Sequence, residues 1–372
     1  MSGLYIHIPF CKKACTYCDF HFSTTLKTRD ALLSAMHAEL EQRAPEIVGA
    51  AMGTIYFGGG TPSLMEPQMI AAFIDQAKRL FAVEADAEVT LEANPDDITE
   101  ERLAAWKSIG ITRLSIGIQS FRDDRLRFMG RAHTALQSHR ALELIANAGF
   151  TSWTMDLIYG LPGMSMDEWN EQLDLSFAFN APHLSAYCLT VEPKTTLAHR
   201  VQAGDVHMPG DADQAAQFER LIERAEEAGL TQYEISNFGR EGHYSRHNTS
   251  YWKGIPYLGI GPSAHSFNGN DTRRWNIANN NTYTSRVRSG VHYWQEETLS
   301  PAQRTNERLL TGLRTIWGVA LDELAIDPRK ENSALIDHYV KRGELLVQDG
   351  RLVLTRAGRN FADRIAADLF TT

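Results

Sequence analysis

Leu4-Tyr-Ile-His-Ile-Pro-Phe-Cys-Lys-Lys-Ala-Cys-Thr-Tyr-Cys18 is the stretch on which the reading of this chain turns. It joins a short apolar strand, residues 4–8, to three cysteines, Cys11, Cys15 and Cys18, spaced C-x-x-x-C-x-x-C. A [4Fe–4S] cluster held entirely by protein takes four thiolates. A tight loop that supplies three leaves one iron open to an outside ligand, much as a catalytic zinc keeps one position free of protein. Structural zinc, the alternative occupant, usually draws a second ligand pair from a distant part of the chain, and no second C-x-x-C is present here. Tyr17 and Phe20 are expected to shield the cluster from water. Tyr5 and His7 share a strand face opposite Leu4, Ile6 and Ile8, and His7 reads equally as a packed core histidine or a site residue.

From this loop to Leu189, short β-branched runs alternate with amphipathic stretches. The pattern predicts strands over 5–9, 54–57, 88–92, 113–118, 154–158 and 184–189, and helices over 28–43, 67–81, 99–109, 134–148 and 166–179. Thr99 is expected to cap its helix, Ser165 to form a capping box with Glu168, and Gly110 and Gly149 to close helix C-termini. Repeated βα units with short links imply a parallel sheet with right-handed crossovers. Each strand's C-terminal end carries polar or flexible residues: the cysteine loop, Gly58-Gly-Gly-Thr-Pro62, Glu92, Gln119, Asp156 and Tyr187 in turn. Six decorated ends meeting at one mouth favour a partial (β/α)6 barrel of TIM type over a doubly wound sheet, which gathers its site at one switch point. The Gly triplet suits close backbone approach and N–H groups aimed at a carboxylate or phosphate.

Beyond Leu189 the character changes. The expected division is 1–190 as the partial barrel, 191–300 as a connecting region with one clear helix at 212–228, and 301–372 as a mostly helical, winged-helix-like unit. In that last unit helices are expected over 304–316, 321–325, 333–342 and 358–369, with a hairpin over 345–354 turning on Asp349-Gly350.

Composition bounds the function. The chain has 372 residues, 43% hydrophobic and 22% charged, which suits a sizeable globular core. A net charge of −9 argues against nucleic-acid binding through the general field. Basic residues of the last unit are matched by acids, as in Asp327-Pro-Arg-Lys-Glu331, so a DNA-binding regulator is disfavoured and no nucleic-acid partner is expected. Neither a signal peptide nor a ~20-residue apolar run is present, making cytoplasmic residence the expectation. Of four cysteines, three crowd one loop, which is not a disulfide framework. The fourth, Cys188, sits in the apolar run 183–189 and reads as core.

Taken together, Tyr5-Ile-His-Ile-Pro-Phe-Cys-x-x-x-Cys-x-x-Cys18, Gly58-Gly-Gly-Thr-Pro62, Glu92-Ala-Asn-Pro95, Ser115-Ile-Gly-Ile-Gln119 and Asp156-Leu-Ile-Tyr-Gly-Leu-Pro162 resemble the radical S-adenosylmethionine superfamily, in particular its oxygen-independent coproporphyrinogen III oxidase branch. The resemblance runs over nearly the whole chain. It implies that S-adenosylmethionine occupies the open iron and is cleaved by an electron from the cluster to methionine and a 5′-deoxyadenosyl radical. It also implies that Tyr5 flanks the cluster, that Gly59, Gly60 and Thr61 meet the methionine end, and that Glu92, Gln119, Arg131 and Asp156 hold the amino acid and ribose. Two departures from the oxidase pattern stand out. Phe20 occupies the place of a further loop cysteine, and only ten residues precede Cys11 where the oxidase carries a longer extension. Both match a sister group, the HemW heme chaperones, which bind heme and hand it to acceptor proteins. His247-Asn-Thr-Ser-Tyr-Trp252 fits the H-N-x-x-Y-W signature of that group. The resemblance makes His247 a candidate heme ligand, since imidazole is a common axial ligand, with Tyr251 and Trp252 packing on the porphyrin. His243 and His265 read as ordinary structural histidines. An anaerobic coproporphyrinogen III oxidase is the competing expectation.

Overall fold

Alternation with period two builds the sheet and decides which face carries chemistry. The computed structural model describes residues 1–47 and 51–372. The first six strands are β1 (Ser2–Ile8), β2 (Met52–Gly59), β3 (Val83–Ala93), β4 (Arg113–Gln119), β5 (Ser152–Tyr159) and β6 (His183–Cys188). They pair in parallel and in chain order. Between them run α1 (Arg29–Arg43), α2 (Pro67–Leu80), α3 (Glu100–Ser108), α4 (Asp123–Met129), α5 (Ala135–Asn147) and α6 (Met166–Ala178). One face of the strands is apolar: Leu4, Ile6, Ile8, Ile55, Phe57, Leu91, Leu114 and Ile116 are fully buried with the helices. The other face is polar. Register places Tyr5 beside Tyr56, Glu92 beside Ser115 and Asp156 beside Ser185. Sequential parallel order with right-handed crossovers keeps the helices on one side, and α1 touches α2 as α2 touches α3. The result is an α/β fold with the winding of a (β/α)6 barrel, laid out as an open sheet.

The predicted strands and helices match these elements to within a few residues, except β3, which begins at Val83, and α4, a two-turn helix absent from the expectation. Thr99 Oγ1 accepts from the Arg102 N–H at 3.2 Å as an N-cap should. Gly110 and Gly149 both adopt the left-handed conformation that ends a helix (φ +97° and +72°). The capping box at Ser165 is only half made. Ser165 Oγ accepts from the Glu168 N–H at 3.1 Å, but the Glu168 side chain turns to Arg125 (2.6 Å), a stronger charge-assisted partner than a backbone N–H.

Segment 191–300 supplies more than a connection. After α7 (Thr196–Gln202) and α8 (Asp211–Glu227), β7 (Thr231–Glu234) and β8 (Asn237–Gly239) extend the sheet beyond β6. Helix α9 (Arg246–Trp252) leads to β9 (Tyr257–Ile260), which pairs in parallel with the other edge of β1. Strands β10 (His265–Phe267), β11 (Thr272–Asn276) and, after α10 (Asn280–Arg288), β12 (Trp294–Thr298) complete a 12-stranded sheet. A buried polar network fastens this extension to the first helix. Glu39 of α1 receives the Arg43 guanidinium (3.1 Å), the Asn276 amide (2.7 Å), the Gly261 N–H (2.8 Å) and the Tyr283 hydroxyl.

The last unit comprises α11 (Pro301–Leu313), β13 (Val319–Ala320), α12 (Arg329–Lys341), β14 (Leu345–Gln348), β15 (Arg351–Leu354), α13 (Arg356–Arg359) and α14 (Ala362–Asp368) around its own core. Asp349 and Gly350 both take positive φ (49° and 72°), as a tight hairpin turn demands. The expected helix over 321–325 is one 3-10 turn, Leu321–Glu323. The three-stranded sheet of β13, β15 and β14 with flanking helices gives the winged-helix shape. Among the described residues, no helix is long and apolar enough to cross a membrane.

Candidate functional site

At the C-terminal ends of β1 to β6 lies a cavity of about 450 Å³. Cys11, Cys15 and Cys18 line it, with Gly59, Gly60, Thr61, Glu92, Gln119, Arg131 and Asp156. The cysteine loop is held by backbone bonds. The Cys11 N–H donates to Ser23 O at 3.0 Å, and the Thr16 N–H to Met129 O at 2.9 Å. All four cysteines are free thiols.

The glycine loop does not present its N–H groups to a ligand. Gly60 N–H donates to Ile8 O (2.9 Å) and Thr61 N–H to Phe10 O (2.7 Å), clamping the loop to the strand that carries the cysteines. Gly59 N–H donates to Glu92 Oε2 (3.2 Å). The glycine requirement is therefore one of close approach. A Cβ on Gly60 would lie 2.7 Å from the Phe10 backbone, and one on Gly59 2.5 Å from the His7 ring. Thr61 Oγ1 donates toward Cys11 Sγ at 3.6 Å, and Arg131 Nη1 toward Cys15 Sγ at 3.5 Å. Burial raises the Cys11 thiol above its ordinary value, and the Thr61 hydrogen bond offsets part of that rise.

Arg131 also reaches Asn94 Oδ1 (2.5 Å) and Gly117 O (2.9 Å), while its Nε is buried without a partner. Glu92 accepts from the Tyr56 hydroxyl at 2.8 Å, and Asp156 from the Ser115 hydroxyl at 3.1 Å. Burial pushes Glu92 up to about 7 and Asp156 up to about 6. The mutual repulsion of the two carboxylates adds to the Glu92 shift. Two desolvated acids opening on one cavity suit a ligand that brings positive charge. Gln119 holds a left-handed backbone (φ +64°) at the end of β4, strain that turns its amide toward Gly117. Tyr56, Asn94 and Ser115 orient this site yet were not named as site residues from the sequence; Asn94 and Ser115 lie inside the quoted motifs, and Tyr56 was signalled only by the strand alternation that puts it on the polar face.

The donor set fits a cluster better than a single ion. Among the described residues, no three His, Cys, Asp or Glu side chains stand close enough to share one metal ion. In a [4Fe–4S] cluster each thiolate takes a different iron, so its sulfurs stand apart, and Arg131 Nε offers an unused donor beside them.

A second cavity of about 920 Å³ adjoins the first and shares Phe20, Glu92 and Tyr187 with it. Tyr5 and His247 line this one. Tyr5 donates its hydroxyl to His7 Nδ1 (3.1 Å), and His7 Nε2–H donates to His21 O (2.9 Å), so His7 is the packed, satisfied histidine; burial pushes it down to about 4. His247 is also buried. Its Nδ1 is bonded to Thr54 Oγ1 (2.8 Å) and its Nε2 to the Tyr251 hydroxyl (2.7 Å), so iron ligation requires breaking one of these bonds. Phe20 is 67% exposed, not packed as a shield; the loop that carries it runs along the surface between the two cavities. Cys188 is half-buried on the cluster-cavity wall with its thiol toward Gln214 Oε1 (3.4 Å), because it ends β6 at the mouth and not within the core.

Thiols, arginine and paired carboxylates at the mouth of an open barrel are the arrangement of an iron–sulfur enzyme scaffold, and the family model of the Radical SAM superfamily matches residues 5–175. The curated heme chaperone HemW of Mycobacterium tuberculosis is 36% identical over 99% of this chain and 94% of its own length. HemW of Bacillus subtilis is 31% identical over 98% of each. The chain belongs to the radical SAM superfamily and, within it, to the HemW heme chaperone family. The solved coproporphyrinogen III oxidase of Escherichia coli shares the fold (TM-score 0.83, 24% identity, 99% of this chain and 90% of that one).

Proposed function

We propose that this protein binds heme and transfers it to acceptor proteins, on a scaffold that carries a [4Fe–4S] cluster and S-adenosylmethionine. The observation that carries the heme half is the second cavity. Its volume lies at the upper end of the ~300–1,000 Å³ usual for small-molecule sites. Aromatic walls (Tyr5, Tyr56, Tyr251, Trp252 and Tyr257) and a cationic rim (Arg273, Arg304 and Arg308) suit a flat macrocycle bearing carboxylates. Cys11, Cys15 and Cys18 would hold the cluster, which supplies an open iron and a source of electrons. Glu92, Gln119, Arg131 and Asp156 would orient S-adenosylmethionine, while Gly59, Gly60 and Thr61 fix the cysteine loop against it. Cytoplasmic residence belongs to this proposal, supported by four unpaired thiols. In the last unit, pairs such as Arg314 with Asp363 (2.9 Å) and Arg342 with Glu344 (2.7 Å) suit a docking or lid role more than a DNA-binding one.

The test is anaerobic: cluster-loaded protein, S-adenosylmethionine, a strong reductant and coproporphyrinogen III, with products separated by chromatography. The expected result is no decarboxylated tetrapyrrole, with heme bound and passed to an apo-protein acceptor in a parallel assay. Decarboxylated product would overturn the proposal in favour of the oxidase.

The raised acids give a second prediction. A carboxylate whose folded pKa lies above its unfolded value penalises folding once ionised. Stability of the ligand-free protein should therefore fall as pH rises from about 4.5 to about 7 on account of Glu92, and then level. An ammonium group bound beside the carboxylate offsets that penalty. S-adenosylmethionine affinity is expected to drop by up to about tenfold per unit as pH falls below 7. Glu92→Gln should weaken binding at pH 8 and flatten this dependence, read by calorimetry between pH 5.5 and 8.

A further inference from the structure

We propose that His265, and not His247, supplies the axial imidazole to the iron of a heme seated in the second cavity; this rests on the heme reading above. Three histidines line that cavity: His7, His247 and His265. The first two have both ring nitrogens engaged by protein partners. His265 is exposed, and neither of its ring nitrogens has a hydrogen-bond partner among the described residues. Its direction follows from strand alternation in β10. Ser266 points to the helix side, where its hydroxyl accepts from Arg43 Nη2 at 3.0 Å. His265 and Phe267 therefore point to the opposite, cavity-lining face, as Tyr5 and His7 do on β1. The ring lies 6.1 Å from that of Trp275, its partner across the ladder, and nearly parallel to it (21°), which steadies its orientation.

The cations around the cavity give the macrocycle a direction. Arg273 is paired with Glu297 and Glu307, and Arg308 with Glu323. Among the described residues Arg304 makes no ion pair; it donates to the Asn270 amide oxygen (2.8 Å) and has Asp271 as its nearby acid, leaving its charge the least neutralised of the three for a propionate. A ligand bond from His265 and an ion pair from Arg304 would seat heme without breaking a bond inside the protein. Ligation by His247 would break its link to Thr54 or Tyr251 inside a buried site, where an orphaned polar group is costly.

Full-length protein titrated with ferric heme, followed by visible absorption and electron paramagnetic resonance, tests this. Wild type is expected to show an imidazole-ligated spectrum. His265→Ala should lose that signature and raise the Kd by about tenfold or more, with free imidazole restoring the spectrum. His247→Gln should keep the signature, and Arg304→Gln should raise the Kd without moving the Soret band. A His265→Ala protein with the wild-type spectrum and affinity overturns the assignment while leaving the heme reading intact, and transfer of the loss to His247→Gln does so too. Absence of heme binding by wild type overturns both.

Discussion

Cys15→Ala is expected to fold normally and to take up no [4Fe–4S] cluster. The loop's course is set by backbone bonds at Cys11 and Thr16 and by Leu197 N–H donating to Thr16 O (2.8 Å), none of which involves the thiol. The thiol itself is half-buried and outside the core. What the substitution removes is one of the three proposed cluster ligands and the partner of Arg131 Nη1. Two thiolates do not hold a cluster that already relies on an outside ligand at its fourth iron. Iron and sulfide content and the resonance of the reduced protein give the readout, with circular dichroism reporting the fold. Cys188→Ala, on the wall of the same cavity, should retain the cluster. Wild-type iron content in the Cys15 variant would refute the ligand assignment.

Glu39→Ala should be the most damaging single change away from the site. The carboxylate is wholly buried and meets Arg43, Asn276, Gly261 and Tyr283. Its loss leaves Arg43, also buried, with the half-exposed Glu46 as counter-charge, and strands the Gly261 N–H and the Tyr283 hydroxyl, while the Asn276 amide keeps Gly261 O (2.8 Å). Removing one partner of a buried ion pair costs about 3–5 kcal/mol, against a total stability of about 5–15 kcal/mol for a typical domain. Denaturant titration reads the loss directly. A change below about 1 kcal/mol would mean that water replaces the carboxylate.

These two sites differ sharply in how much of them the sequence discloses. The cysteine loop is local: eight residues fix ligand type, number and spacing. The six parallel strands were equally legible, because each is an apolar run ending in a residue that does not belong in a core. The strands of segment 191–300 are three to five residues long and owe their place to partners far away, as β9 does to β1. No periodicity reveals that. The same distance hid the environment of His247. Its ring is held by Thr54, 193 residues earlier, so the candidate ligand of the motif has a buried partner that the motif itself does not show. Glu39 likewise reads as one polar position in an amphipathic helix until Asn276 and Tyr283 arrive beside it. The glycine loop was recognised by composition, but not where its donors go: the Gly60 and Thr61 N–H groups bond Ile8 O and Phe10 O, and the Gly59 N–H bonds Glu92.

The pairing of β1 with both β2 and β9 has a consequence for biosynthesis. The cysteine loop leaves the ribosome some 240 residues ahead of residues 257–260, which give its strand its second neighbour. At ~5–20 residues per second, that interval is on the order of tens of seconds. Throughout it the three thiols hang from a half-supported strand, open to oxidation and to stray zinc. The site's supporting strand is therefore complete only once residues 257–260 have joined it.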